Sequence, residues 1–377
     1  MNNRVVILTA STGYGHNQVA LSMKNELEAK GCRVWVIEPF KEVSRSLNIL
    51  LSDGYRLLAT KMPKVYGKMY HISNKRFFGK PVDVFSSKVI ENKLEEIVNE
   101  FEPDLVISTH PFIVKAMCKL KRKNIYTKPF VSVVTDYMPH KSYLSPIVDA
   151  YIVGSKYTKD KLVERKIECE KIFAFGIPIN RAFKEFKNSI QKESAFTILL
   201  MGGSMGMNGI KKAFKELLNI QKPLKIIVVC GNNENLKKTL EERLQLNNTN
   251  AEVLILGFTD KIAEYMDSAD LIITKPGGLT VTEAFAKNLP MVIPFFIPGQ
   301  EEENAEMLTD IGAAVKVHGP KALRVKIEEF IENPILLEAM KKSMFKVSRD
   351  HSLDKVTNLC LKLIEEGQEQ EKLNYAE

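Results

Sequence analysis

The sequence predicts an α/β protein made of two doubly wound domains. Three observations lead there. Short runs of Val, Ile and Leu alternate with stretches of helical periodicity, the order that produces parallel sheets covered by helices on both faces. Glycine-rich turns follow the strand that opens each series, at residues 13–15 and 202–209, and a further pair stands at Gly277 and Gly278. A chain of 377 residues is also long for one core and comfortable for two.

Taken in order, residues 4–10 read as a strand, 17–30 as a helix and 32–38 as a second strand. A basic segment, 41–80, follows. Helical periodicity returns at 84–100, and 104–108 is a strand running into Thr109-His110-Pro111. A short helix at 113–120, a strand at 130–135 ending at Asp136, a strand at 150–153, a helix at 156–165 and a strand at 171–175 complete the first series. Gly176-Ile-Pro-Ile-Asn180 closes it, so the N-terminal domain is expected over 1–183 with the polar stretch 184–194 as linker.

The second series opens with a strand at 196–201, the glycine turn 202–209 and a helix to 219. A strand at 225–230, a helix ending at 246 and a strand at 252–256 come next. Residues 271–274 form a strand, Lys275-Pro-Gly-Gly278 a tight turn, and a helix begins at Leu279. Strands at 291–294 and 313–317 and helices at 321–332 and 334–349 bound this domain at 195–349. The tail is helical over 353–369, and residues 350–377 are expected to return to the N-terminal domain.

Composition excludes several classes. With 45% hydrophobic and 27% charged residues the chain is ordinary globular material, and no apolar run approaches the ~20 residues that span a bilayer. Residues 5–10 are too short for a secretory core. Cys32, Cys118, Cys169, Cys230 and Cys360 are scattered without a Cys-x-x-Cys pair, which suggests neither a zinc site nor a disulfide framework. A cytosolic protein is the expectation.

Charge is uneven. Residues 1–180 hold 28 Lys and Arg against 18 Asp and Glu, whereas 181–377 hold 26 against 28. Between Lys41 and Lys80 nine basic residues face only Glu42 and Asp53, interleaved with apolar and aromatic side chains such as Tyr55, Met62, Val65, Met69 and Phe77. That pattern suits an anionic membrane surface or nucleic acid, and equally an amphipathic helix with a solvated Lys face.

The turn at Lys275-Pro-Gly-Gly278 carries the clearest chemistry. Two glycines let an anion approach the main chain, and the following helix adds roughly half a positive charge, so a phosphate or diphosphate is the natural occupant. Glu283, about one turn into that helix, can accept hydrogen bonds from hydroxyls such as those of a ribose. An ordinary strand-to-helix turn with a surface Glu has the same spelling.

Other constellations compete. Gly13-Tyr-Gly15-His-Asn-Gln18, with Glu38 further on, approaches the dinucleotide fingerprint but has Gln18 where close helix packing needs a third glycine. Gly202-Gly-Ser204-Met-Gly206 matches a nucleophile elbow, for which His318 or His351 would have to complete a triad, yet the glycine run continues to Gly209. His16, at the mouth of the first strand, or Asp136, at the end of another strand of the same sheet, could deprotonate an alcohol. His16 is favoured because an unperturbed imidazole titrates near neutrality. No Asp-x-Asp and no His pair of ligand spacing occurs, so no metal is expected.

Seven motifs then fall in register. Ser11-Thr-Gly-Tyr-Gly-His16, Val134-Thr-Asp136, Gly176-Ile-Pro178, Gly202-Gly-Ser204, Gly257-Phe258, Lys275-Pro-Gly-Gly278 with Glu283, and Pro298-Gly-Gln300-Glu-Glu-Glu-Asn304 run through nearly the whole chain. Together they resemble the bacterial diacylglycerol glucosyltransferases and the plant-type monogalactosyldiacylglycerol synthases. Those families share the GT-B fold, two Rossmann-like domains facing each other across a cleft, with the N-acetylglucosaminyltransferase that makes lipid II.

The resemblance implies a UDP-sugar in the C-terminal domain. Gly257 and Phe258 would hold the uracil, Glu283 the ribose, and Ser204, Gly277, Gly278 and Leu279 the diphosphate. Gln300 and Glu301 would read the sugar, with Asn304 on the supporting helix; Gly15, Gly203, Lys275 and Thr280 complete the set. A lipid would enter beside His16, and family members invert the anomeric carbon. The stretch Tyr137-Met-Pro-His140-Lys-Ser-Tyr143 departs from relatives, which are richer there in His and Trp.

The expectation is therefore an inverting transferase that moves glucose, or galactose, from a UDP-sugar to diacylglycerol on the inner face of the cell membrane. It would be cytoplasmic and peripheral, with no cofactor, no metal and no nucleic-acid partner. The alternatives are a transferase acting on a polyprenyl-linked sugar such as lipid I, and a UDP-N-acetylglucosamine 2-epimerase.

Overall fold

A computed structural model of the protein describes residues 3–11, 14–43, 62–75, 80–185, 195–202 and 208–376. The chain forms two compact units. One comprises Met1–Asn180, Pro298–Gln300 and Asp350–Glu377; the other comprises Arg181–Ile297 and Glu301–Arg349.

The first unit holds strands β1 (Arg4–Leu8), β2 (Arg33–Ile37), β3 (Leu105–Ser108), β4 (Phe130–Val133), β5 (Ala150–Ile152) and β6 (Ile172–Phe173). They form a parallel sheet in the order β2-β1-β3-β4-β5-β6. β3 and β4 are buried at every position, and β1 at all but its first. That is why these strands read as unbroken apolar runs: a parallel sheet with helices on both faces leaves no wet side. The chain leaves β1 for β2 on one side and crosses to β3 on the other. The loops after β1 and β3 therefore diverge at a topological switch point, where such sheets open a crevice.

The first helix, Tyr14–Ala29, begins earlier than the spacing suggested, so His16 sits in a helical first turn and not in a glycine loop. The helix Pro111–Arg122 begins with Pro, the residue whose missing N–H matters least there, and His110 caps it by accepting from Phe112 N at 3.3 Å. Lys119, Lys121 and Arg122 occupy its last turn, where the helix dipole favours cations. The C-terminal helix, Leu353–Ala376, buries Val356, Cys360 and Ile364, a seam spaced four residues apart, within this first unit.

The second unit holds β7 (Phe196–Met201), β8 (Leu224–Val229), β9 (Glu252–Leu256), β10 (Leu271–Ile273), β11 (Met291–Ile293) and β12 (Ala314–Lys316), in the order β12-β11-β10-β7-β8-β9, all parallel. Its switch point lies between β7 and β10. A Cβ on Gly209, in the helix Asn208–Leu217, would collide with the Phe295 ring, so that glycine is required by close packing. Most of the stretch expected as linker, 186–194, lies outside the described residues. Its approach is fixed by Lys287, whose fully buried ammonium donates to Glu185 O at 2.7 Å and pairs with Asp267 at 2.8 Å.

Among the described residues, four helices were not delimited by the sequence: Pro39–Val43, Pro63–Lys75, Ile262–Ser268 and Gln300–Asp310. The first and third are too short for periodicity to register, the second lies in the basic segment, and the fourth opens with three consecutive glutamates.

Candidate functional site

In the second unit the chain leaves β10 at Thr274 and turns through Lys275-Pro276-Gly277-Gly278 into the helix Gly278–Ala286. Gly277 is the N-cap and has no side chain to offer, so it gives the helix no side-chain cap. The N–H groups of a helical first turn lack partners within the helix, and here a buried Gly278 and partly buried Leu279 and Thr280 occupy it. The turn is held from behind. Asn304, fully buried on the helix Gln300–Asp310, donates to Pro276 O at 3.0 Å.

Lys275 is ion-paired with Glu301, and the other Glu301 oxygen accepts from Ile297 N at 2.9 Å. Glu301 was expected to read sugar hydroxyls. Its carboxylate is instead engaged by a cation and a main-chain donor, and is buried, so it acts first on the geometry of the turn. Glu283 is partly buried, and desolvation pushes its carboxyl up to about 8.

Gly257 and Phe258 stand beyond the C-terminal end of β9, at the same end of the sheet but two strands from β7. Phe258 is 56% exposed, and a Cβ on Gly257 would stand 3.4 Å from Glu234 Oε1. Gln300 opens its helix and is partly buried. Gly203 and Ser204 lie outside the described residues, as do Thr12 and Gly13.

In the first unit the corresponding switch point is occupied by His16, with Gly15 partly buried beside it. His16 Nδ1 is 2.8 Å from Thr109 O, after β3, and 3.1 Å from Thr135 Oγ1, after β4. The Thr135 hydroxyl is in turn 3.0 Å from the Tyr143 hydroxyl. The His110 ring meets the His16 ring edge-on at 4.8 Å. Asp136 follows Thr135 and is buried.

Burial lowers His16 to about 4, against the hydrogen bond to Thr109, which raises it. The expectation of an imidazole titrating near neutrality is thus corrected: at neutral pH the ring is uncharged, and burial makes it a weaker base than a free imidazole. Thr109, Thr135 and Tyr143 were not singled out as partners of His16. They lie 93, 119 and 127 positions from it in the chain, and no spacing rule connects strand ends brought together by a crossover.

The dinucleotide alternative fares poorly at this site. Glu38, which would have to meet a ribose, is hydrogen-bonded to Ser11 Oγ and ion-paired with Lys41. Among the described residues no helix is long and apolar enough to cross a membrane, and no cluster of three metal-ligating side chains occurs.

Known proteins add the following. The monogalactosyldiacylglycerol (MGDG) synthase family model matches residues 16–179, and that of the glycosyltransferase family 28 C-terminal domain matches 197–356. The chain is 30% identical over 359 residues to a processive diacylglycerol beta-glucosyltransferase from Bacillus pumilus, covering 93% of this chain and 92% of that one. Among solved structures, Acinetobacter baumannii MurG superposes with a TM-score of 0.69 at 19% identity, covering 96% of this chain and 99% of that one. A UDP-GlcNAc 2-epimerase from Neisseria meningitidis, bound to UDP-GlcNAc, superposes at 0.60 and 14% identity, covering 95% and 100%.

Proposed function

The chain belongs to the diacylglycerol glucosyltransferase family, glycosyltransferases of the GT-B fold, and from that membership we propose that it transfers a hexose from a UDP-sugar to the hydroxyl of diacylglycerol at a membrane surface. Glucose is the favoured hexose and galactose the second. The observation that carries the donor reading is the glycine turn at Lys275–Gly278: an uncapped helix N-terminus beside a cation, with Glu283 one turn further on.

The diphosphate would lie on the N–H groups of Gly278, Leu279 and Thr280, which supply positive potential that needs no reorganisation as charge grows on the leaving group. Glu283 would take the ribose hydroxyls, and Gly257 and Phe258 the uracil. Gln300 would meet the sugar, while Glu301 and Asn304 hold the turn in shape. Gly203 and Ser204 complete the diphosphate loop in this reading.

On the acceptor side, His16 Nε2 would take the proton of the lipid hydroxyl as its oxygen attacks the anomeric carbon. The bond from that carbon to the diphosphate breaks on the opposite face, and the product is inverted. Asp136 is the competing base. No metal or cofactor is invoked: the main-chain dipoles at the N-terminus of the helix Gly278–Ala286 would meet the leaving diphosphate.

The experiment is direct. Purified protein is given diacylglycerol in mixed micelles with radiolabelled UDP-glucose or UDP-galactose, and the lipids are extracted. Label from UDP-glucose should enter the organic phase, and label from UDP-galactose should enter less or not at all. Label entering only when a polyprenyl-linked sugar replaces diacylglycerol, or UDP-N-acetylglucosamine epimerised without any lipid, would replace this reading by one of its two alternatives.

A further inference from the structure

We propose that Thr135 and Tyr143 are positioning residues that fix the tautomer of His16, leaving Nε2 as its basic nitrogen. The inference rests on the reading of His16 as the base that receives the acceptor proton.

Nδ1 of His16 has two oxygen neighbours, Thr109 O at 2.8 Å and Thr135 Oγ1 at 3.1 Å. A carbonyl oxygen can only accept, so the hydrogen of the neutral ring resides on Nδ1 and the lone pair on Nε2. The backbone carbonyl favours this tautomer but shares Nδ1 with a group of either polarity. The Thr135 hydroxyl adds a second acceptor, and when the ring becomes imidazolium both oxygens share the new charge in a site where burial opposes it.

A hydroxyl can also turn and donate to Nδ1, which would favour the wrong tautomer. Tyr143 counters that by accepting the one hydrogen of the Thr135 hydroxyl, which leaves an Oγ1 lone pair facing His16 Nδ1. Its side chain is 1% exposed and its hydroxyl lies 3.0 Å from Thr135 Oγ1, while its own ring is carried on the short helix Lys141–Tyr143, capped by His140.

The measurement uses the full-length protein labelled with [15N]histidine. Long-range 1H–15N spectra should show His16 as the Nδ1–H tautomer. Thr135→Val, which keeps the volume and removes the acceptor, should shift it toward a mixture and lower kcat by roughly 10- to 100-fold with the KM for the UDP-sugar unchanged. Tyr143→Phe should cost less, about three- to tenfold, and Thr135→Ser should restore both tautomer and turnover. A wild-type ring protonated on Nε2, or a Thr135→Val protein with unaltered spectrum and turnover, overturns the proposal. Undiminished turnover in His16→Ala would instead remove the base reading, and the spectrum would still decide the tautomer.

Discussion

At Glu283, burial and binding pull in opposite directions. The carboxyl is held protonated up to about 8, yet two ribose hydroxyls are best met by a carboxylate, which accepts from both. UDP affinity should therefore rise with pH, by up to about tenfold per unit below pH 8, and binding at pH 7 should release a proton. Titration calorimetry in two buffers of different ionisation enthalpy measures both. Glu283→Gln should flatten the profile, and Glu283→Ala should lose about 1.5 to 3 kcal/mol for each bond to the charged group. A wild-type profile that is already flat would separate Glu283 from the ribose. The position of this residue was readable, because a strand, two glycines and a Glu one turn into a helix have a fixed geometry. Its ionisation was not, since that depends on what packs over it. Glu301 shows the same limit from the other side: its partner Lys275 is 26 positions away, and only the folded chain shows that the carboxylate is already engaged.

Elements were legible where burial is uniform. Each strand of both sheets was anticipated to within a few residues: the central strands are apolar because both faces are covered, and the edge strand β9, with no fully buried position, still carries Val253, Leu254, Ile255 and Leu256 in a row. The helix Pro63–Lys75 was not resolved from its sequence, since its apolar residues are not all turned inward. Val65, Met69 and Ile72 fall on one face at spacings of four and three, and are 41%, 54% and 43% exposed; Met62 just before the helix is 52% exposed, and Lys64 and Lys68 are exposed beside them. Gly67 and Tyr70 are buried in the same helix. Exposed apolar groups flanked by Lys suit shallow insertion into an anionic lipid surface, with about 1 kcal/mol from each cation and a further part that salt does not screen. Sedimentation with phosphatidylglycerol vesicles is the check. Lys64→Gln with Lys68→Gln should weaken binding at low salt, Val65→Ser with Met69→Ser should remove the salt-resistant part, and both proteins should keep their UDP affinity. Arg56 and Lys61, two further basic positions of the segment 41–80, lie outside the described residues. Wild-type sedimentation by both double variants would take this helix out of the contact.

For the molecule as a whole, the two units should respond oppositely to pH. His16 and His140 are lowered to about 4 and His110 well below its usual value, each chiefly by burial, and all three are in the first unit. A base whose folded pKa is depressed contributes stability above its unfolded pKa near 6.5 and loses it as pH falls toward 4; for His16 the ceiling is about 3 kcal/mol. Glu283, in the second unit, is raised, so its contribution is complete below 4.5 and declines as pH rises through 8. Scanning calorimetry should show one transition falling at acid pH and the other at alkaline pH. His16→Gln should blunt the first shift and Glu283→Gln the second. Transitions that move together at both extremes would refute the assignment. The division into two α/β halves was visible in the sequence because each half repeats the same alternation of strand and helix. The histidine cluster was not, because the β1–β3 crossover assembles it from distant segments.

The C-terminal helix has a consequence for biosynthesis. It belongs to a unit whose strands are all made before residue 180, so the first half of the chain is expected to expose the surface that later covers Val356, Cys360 and Ile364 until that helix has been synthesised. The second unit has no such wait, since all of its segments precede residue 350. Folding order is then expected to reverse synthesis order. A nascent chain arrested after residue 349, on a tether long enough to clear the exit tunnel, should give a protease-resistant fragment of about 195–349 and a readily cleaved N-terminal half, and release of the full chain should protect both. Protection of the N-terminal half in the arrested chain would mean that it folds without its last helix.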